Sequence, residues 1–420
     1  MQTYLRLLRE NPAYTRLWIA QCISLLGDWF STIALTALVA QYSNSSGMAL
    51  TLLLVSRFLP PLIIGPFAGV IVDRMNRKRL LIISDISRFV IVILFLTVND
   101  AAHLWLIYAL TLIQFTFGSI FEPARSAITP SLVSPNDLVR ANILGSVTWS
   151  VMLAAGAAIG GGVAAIFGTQ TALIIDALSF ALSAMFIMSI RLPTQPSAPT
   201  QAHPAKSQTG FRDGLRYIQQ HPTTALALLI KLFGNIGNLD TFMAIYATKV
   251  FVVGEQGTGS LGIFYSVFGF GAILGPLILN RFNNGSVTTM RRLVAIGYVW
   301  ITLGMFLFGV APSLLIASAA VFLRAMGGST YWTYSSVILQ KTVPDHFLGR
   351  LFSIDFAGAQ LAAIITFIVI GWLVDNTDPA RISSLVIGTA VVTLIPLVLW
   401  ILGITWAEKQ EQITAVPEQA

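Results

Sequence analysis

The sequence predicts an all-α membrane protein of twelve transmembrane helices, arranged as two six-helix pseudo-symmetric halves. Three observations carry that expectation. Hydrophobic residues make up 55% of the 420 and charged residues only 10%, against about 25% charged in an ordinary soluble domain, so the chain cannot cover a water-facing surface. Apolar runs of spanning length recur twelve times. Basic residues between those runs fall almost entirely on one side.

The runs lie near 15–41, 48–72, 80–98, 103–122, 141–167, 170–190, 223–250, 258–280, 292–310, 313–338, 349–374 and 382–406. Each is roughly 20 residues or longer, enough to cross ~30 Å of hydrocarbon. The first follows a basic segment, Met1 to Arg16, but is too long for the apolar core of a cleaved leader, so it is expected to be retained. Outside connections are short, as at Gly168-Thr169-Gln170. The longest connection, 191–222, is rich in Pro, Ser, Thr and Gln and reads as a cytoplasmic linker. It separates an N-terminal half, 1–190, from a C-terminal half with a polar tail, 223–420. Within it Phe211, Leu215 and Ile218 recur at helical spacing with Arg212 and Arg216 between them. That pattern predicts a short helix lying along the inner membrane surface.

Charge sets the orientation. The turn from Gly69 to Arg79 holds Asp73 followed by Arg74, Arg77, Lys78 and Arg79, and cannot enter lipid. Loops and tails on its side hold nineteen Lys and Arg; the opposite side holds two, Lys249 and Arg381. The remaining four, Arg57, Arg88, Lys231 and Arg324, fall inside spans. The positive-inside rule then places the basic turn and both termini in the cytoplasm of a multi-pass cell-membrane protein.

The halves also read as copies. An offset of 210 maps Val133 to Val343, Leu138 to Leu348, Arg140 to Arg350, Gly118 to Gly328 and Gln114 to Arg324. An offset of 212 maps Asp28 to Asp240 and Phe30 to Phe242. The second copy of the basic turn, near Gly271, Gly275, Asn280 and Arg281, lacks the Asp, which implies an unequal pair of gates.

Other function classes are poorly served. The net charge of +7 is distributed as topology requires rather than as a nucleic-acid patch. Cys22 is the one cysteine, and His103, His203, His221 and His346 are scattered, so no cysteine cluster or histidine pair at ligand spacing offers a metal site. No phosphate-cradling glycine loop occurs, and no nucleophile, base and orienting group cluster at readable spacing, so neither an ATP-driven machine, a cofactor protein nor an enzyme is expected.

The Gly69–Arg79 turn, with its glycine four residues before Asp73-Arg74 and its Arg-Lys cluster, resembles the loop signature of the major facilitator superfamily. Phe121-Glu122-Pro123-Ala124-Arg125, continuing through Pro130, Leu132-Val133, Leu138 and Ala141-Asn142, resembles the branch of macrolide-efflux and siderophore-export permeases. Val343-Pro344-Asp345 followed by Gly349-Arg350 does too. Gly156, Gly160, Gly161 and Gly162 are similar to the glycine-rich fifth helix of drug:proton antiporters, without its usual proline. The Arg that such antiporters place four residues before a Gly in the fourth helix is Gln114 here, before Gly118; the second half has Arg324 before Gly328. The resemblance covers the whole chain. It implies the major facilitator fold, parallel repeats, and proton-coupled efflux of a small amphipathic organic substrate across the bilayer. A monomer is expected, without a motif to carry it.

Candidate site residues follow from cost. An ionised group near the bilayer centre costs about 2.5–3.5 kcal/mol on insertion scales, so it must face water or a partner. Asp28 lies roughly 13 residues into its span, or ~20 Å at ~1.5 Å per residue, and Asp240 lies at similar depth. Both could bind a proton or a cationic substrate, or simply hydrogen-bond a neighbouring helix. Lys231, Arg57, Arg324 and Asp355 are the other mid-span charges, open to substrate contact or to pairing among themselves. Asp85 and Arg88, three apart, should pair. Asp176 could snorkel or line an outer vestibule. The resemblance assigns Gly69, Asp73, Arg74, Arg77, Glu122 and Arg125 to an inner gate, with Asp73 capping the eleventh helix near Leu348 to Phe352. Gly69 should permit close helix approach, and Arg77, Lys78 and Arg79 also suit a purely topological role. The glycines of the fifth span, with Gly262, Gly269, Gly271 and Gly275 of the eighth, should let helix backbones meet. A lipid or lysophospholipid flippase, and a receptor on a carrier fold that moves nothing, are the competing readings.

Overall fold

A computed structural model describes residues 2–191 and 211–415. Most of the expected linker, 192–210, lies outside the described residues. Every regular element described is helical: α1 (Gln2–Glu10), α2 (Pro12–Tyr42), α3 (Gly47–Arg74), α4 (Arg77–Phe95), α5 (Leu104–Ile128), α6 (Leu138–Phe167), α7 (Thr169–Met188), α8 (Phe211–Gln220), α9 (Pro222–Gly234), α10 (Asp240–Ile245), α11 (Thr258–Leu279), α12 (Val287–Gly309), α13 (Leu314–Thr342), α14 (Asp345–Asp375), α15 (Ile382–Val392) and α16 (Leu394–Ala415). In hydrocarbon a helix satisfies its backbone internally, which is why so apolar a chain takes this form. Ten of the described segments are long and apolar enough to cross a membrane. Large apolar side chains such as Ile166, Phe167, Leu277 and Leu315 are exposed on them, as lipid-facing residues should be. The protein is a multi-pass membrane protein.

Helix ends follow local chemistry. Ser46, Asn76, Ser286 and Ser313 each accept a backbone N–H three residues on, opening α3, α4, α12 and α13. Gly168, at φ +87°, closes α6 in a conformation open to glycine and lets α7 start at once. Pro396 has no N–H to give the carbonyl four residues back, and the helix breaks there between Val392 and Leu394.

The expected seventh span, 223–250, is corrected. It is not one helix: α9 ends at Gly234, Gly237 takes φ +75°, and α10 restarts at Asp240 before a π-helical turn, Tyr246–Val250. Asp240 therefore opens a short helix rather than sitting mid-helix. The short helix expected over Phe211 to Ile218 is present as α8, where Tyr217 is buried and Ile218 packs against apolar neighbours.

Contacts divide the chain into two compact units. Unit 1 holds Met1–Thr194, Leu239–Phe270 and Phe367–Pro379; unit 2 holds Gln195–Asn238, Gly271–Thr366 and Ala380–Ala420. The core of unit 1 includes Leu7, Leu17, Leu81, Phe121, Ile128 and Ile187. In unit 2 the core is built on Ile230, Tyr298, Tyr331, Leu351 and Trp400. Each also buries polar groups, and the candidate site lies among those of unit 1.

Candidate functional site

On α2, Asp28, Ser31, Thr32 and Leu35 recur at helical spacing and so share one face. That face lines a cavity with Leu53 and Arg57 of α3 and Thr111, Gln114 and Phe115 of α5. The cavity measures about 10 Å³, room for roughly one water. Its lining is half-prepared for a ligand: Thr111 Oγ1 and Gln114 Oε1 are buried with no hydrogen-bond partner among the described residues. The Arg57 guanidinium rests over the Phe115 ring, 4.9 Å from its centroid, a cation–π contact that steadies the half-buried charge.

A second acid approaches from elsewhere in the same unit. Tyr265 of α11 donates its hydroxyl to Asp240 Oδ1 at 3.0 Å and packs its ring on Trp29, centroids 5.2 Å apart. Arg57 lies within electrostatic reach of Asp28, Asp240 and Tyr265. The two aspartates that the 212-residue offset pairs thus both act electrostatically on one guanidinium.

The remaining mid-span charges belong to unit 2. Lys231, 4% exposed, donates to the Asp355 carboxylate and to Ser336 Oγ at 3.0 Å. Its ammonium also sits 4.6 Å from the Trp332 ring centroid. This buried pair is neutral overall and holds α9 to α13 and α14, while Asp355 Oδ1 is left without a hydrogen-bond partner among the described residues. Arg324 is buried on α13, its stem packed where Gly304 of α12 lacks a Cβ. So Asp28, Asp240 and Arg57 come together in unit 1, and Lys231 pairs with Asp355 in unit 2, where Arg324 also lies.

Around the basic turn, Asp73 and Arg74 are exposed. Gly69 is exposed as well, and a Cβ there would meet no atom, so the close helix approach expected at that position is not made. Glycine was the wrong guide because the neighbouring Ala68, not Gly69, points inward. Arg77 donates to the Ala127 carbonyl at 3.1 Å, and Lys78 to those of Met188 and Ile190, both at 2.8 Å. These two cations close the C-terminal ends of α5 and α7, where unpaired carbonyls favour positive charge. Glu122 accepts from Arg125 at 2.8 and 3.1 Å.

The α6 glycines are positions of contact. Gly156 faces Trp29 and Gly160 faces Phe30. At Gly161 a Cβ would lie 2.6 Å from Gly262 Cα and 3.0 Å from the Thr258 carbonyl, so two backbones cross there.

Asp375 carries a role that nothing local in the sequence announces. Its carboxylate accepts Ser46 Oγ at 2.8 Å, Gly47 N at 2.6 Å and Met48 N at 3.0 Å, capping α3 from a position 328 residues away. Replacing Asp375 by Ala should cost about 0.5–2 kcal/mol, the usual worth of such a cap. Denaturant or thermal melting of the purified protein measures it, and an unmoved midpoint would deny the cap any weight.

Together the all-helical bundle, its lipid-facing surface and its buried polar cavity define a multi-pass membrane carrier. A family model described as transmembrane secretion effector matches residues 7–415, and the chain belongs to that branch of the major facilitator superfamily. Over 380 residues it is 27% identical to the "Uncharacterized MFS-type transporter YfiS" of Bacillus subtilis (strain 168), covering 86% of each protein. "Macrolide efflux protein A" of Streptococcus pyogenes is 23% identical over 378 residues, 86% of this chain and 89% of that protein. The crystal structure of nucleoside transporter NupG matches in fold with a TM-score of 0.70 at 14% identity, covering 93% of this chain and 98% of that one.

Proposed function

We propose that the protein is a proton-driven exporter of amphipathic organic molecules, working by alternating access in the cell membrane with both termini in the cytoplasm. One observation carries the reading: Asp28 and Arg57 line a cavity that mixes carboxylate, amide and hydroxyl groups with Leu35, Leu53 and Phe115, and Asp240 acts on the same guanidinium electrostatically. With both acids ionised this trio bears one net negative charge, which suits a cationic amphiphile. One bound proton neutralises it, which disfavours that substrate. Proton and substrate then exclude each other electrostatically, the requirement for exchange transport. The cavity must widen to admit an organic molecule, which requires α2, α3 and α5 to shift against one another, and the halves 1–190 and 223–420 are taken to swing during alternating access. The macrolide-efflux relative supports both the direction and the substrate class.

Twelve spans are proposed in place of ten. The extra pair are α4, whose Arg77, Lys78, Asp85 and Arg88 lower its hydropathy, and the α9–α10 stretch with its break. Asp73 is proposed to cap the start of α14 near Leu348 to Phe352 when the inner side closes, with Glu122 and Arg125 beside it. The carrier is taken to act as a monomer without a cofactor or a nucleic-acid partner.

Expression in cells lacking their own efflux pumps tests the reading. Accumulation of a radiolabelled macrolide should fall, and an uncoupler should restore it. Accumulation unaffected by expression would overturn export of that class; a fall insensitive to the uncoupler would overturn the coupling.

A further inference from the structure

Asp176 of α7 takes no part in the cavity described above, yet it is fully buried within unit 1. Its carboxylate accepts from the hydroxyl of Ser31 on α2, and the Ser179 hydroxyl on its own helix, which donates to the Asp176 backbone carbonyl at 2.7 Å, also lies 3.3 Å from it. Gly27 makes the room, since a Cβ there would overlap the Ser179 hydroxyl and the Asp176 carboxylate. Ser31 also lines the cavity that contains Asp28, one turn away along α2. A single hydroxyl therefore stands between the cavity and a buried acid.

The charges around Asp176 leave it poorly compensated. From α2 it faces Asp28, another acid. From α4 it faces Arg88, but that guanidinium is bound to Asp85, whose second oxygen accepts Ser183 of α7 at 2.6 Å. α6 offers Arg140 alone, in its first turn and paired with Asp137 at 2.7 Å. A carboxylate held by hydroxyls, with no ion pair of its own among the described residues, is costly in its ionised form.

We propose that Asp176 is a second proton-binding site, filled and emptied from Asp28 through the Ser31 hydroxyl. The proposal rests on the proton-driven reading above. A proton leaves the Asp28 carboxyl and reaches Ser31 Oγ, across the one water the cavity admits, while Ser31 passes its own hydroxyl proton to Asp176. Asp28 ends ionised, Asp176 neutral and Ser31 unchanged; no electrons move. A proton on Asp176 is sheltered from cavity water while the carrier changes conformation.

The test needs no substrate. Infrared difference spectra of the purified full chain, taken between high and low pH, report buried protonated carboxyls through their C=O stretch. Asp176→Asn should remove one such band that Asp28→Asn retains. Ser31→Ala should keep the band and slow its exchange in deuterated buffer, which carries the test if Asp176→Asn fails to fold. In proteoliposomes loaded with a macrolide probe, Asp176→Asn should also lose stimulation of efflux by a pH gradient. An unchanged set of bands in Asp176→Asn, or exchange in Ser31→Ala as fast as in the wild type, would overturn the proposal. If the wild type itself showed no gradient stimulation, the proton-driven reading would fail, and the bands would still decide whether Asp176 binds a proton.

Discussion

Asp28→Asn should abolish gradient-driven efflux, lowering it by at least about tenfold, equivalent to ~1.4 kcal/mol of lost driving discrimination. The amide keeps the size and most of the hydrogen bonding of the carboxyl but cannot ionise. With Asp28 gone, the ionised state of Asp240 and Arg57 is neutral, so the site loses the net negative charge that favours a cationic substrate and with it the electrostatic exchange of substrate against proton. Gradient-independent exchange of a macrolide probe across proteoliposome membranes should survive, because the apolar part of the lining is intact. The ratio of gradient-driven to gradient-independent flux is the measurement. A ratio equal to that of the wild type would show that Asp28 does not bind the coupling proton.

The second large effect is steric. Gly161→Val places atoms where α6 and α11 cross at backbone contact, with Gly262 Cα and the Thr258 carbonyl unable to retreat as a side chain can. Overpacking commonly costs about 1–3 kcal/mol, and backbone obstruction puts this position at or above the upper end. Gly162→Ala, one residue along, meets no atom within 4 Å and should be tolerated. Yield of monodisperse protein and its melting midpoint distinguish the two variants. Equal behaviour would mean that the crossing is not the tight contact described.

These two positions differ in how far the sequence revealed them. Asp28 was legible because a charge in an apolar run is conspicuous, and Asp240 because it recurs at a fixed offset. Gly161 was legible as part of a glycine cluster, but its partner Gly262 was identifiable only as one glycine among several. The helical, membrane-embedded character and the superfamily could be read from hydropathy and the Gly69–Arg79 turn. The break in the seventh span could not: Gly237 adopts positive φ inside a stretch whose hydropathy suits a continuous helix. Nor could the roles of Tyr265, Asp176 and Asp375. Each acts on a residue 25 to 329 positions away, and pairing of that kind leaves no local pattern. Gly69 misled for the opposite reason, since a motif names a residue type without saying which way its backbone faces.

Proton movement measured against substrate movement tests the account most directly. Proteoliposomes containing a pH-sensitive dye would be given a macrolide gradient and no initial pH difference. The account predicts proton flow opposite to the macrolide, present in the wild type and absent in Asp28→Asn. Macrolide flux in the wild type with no accompanying proton flow would contradict it.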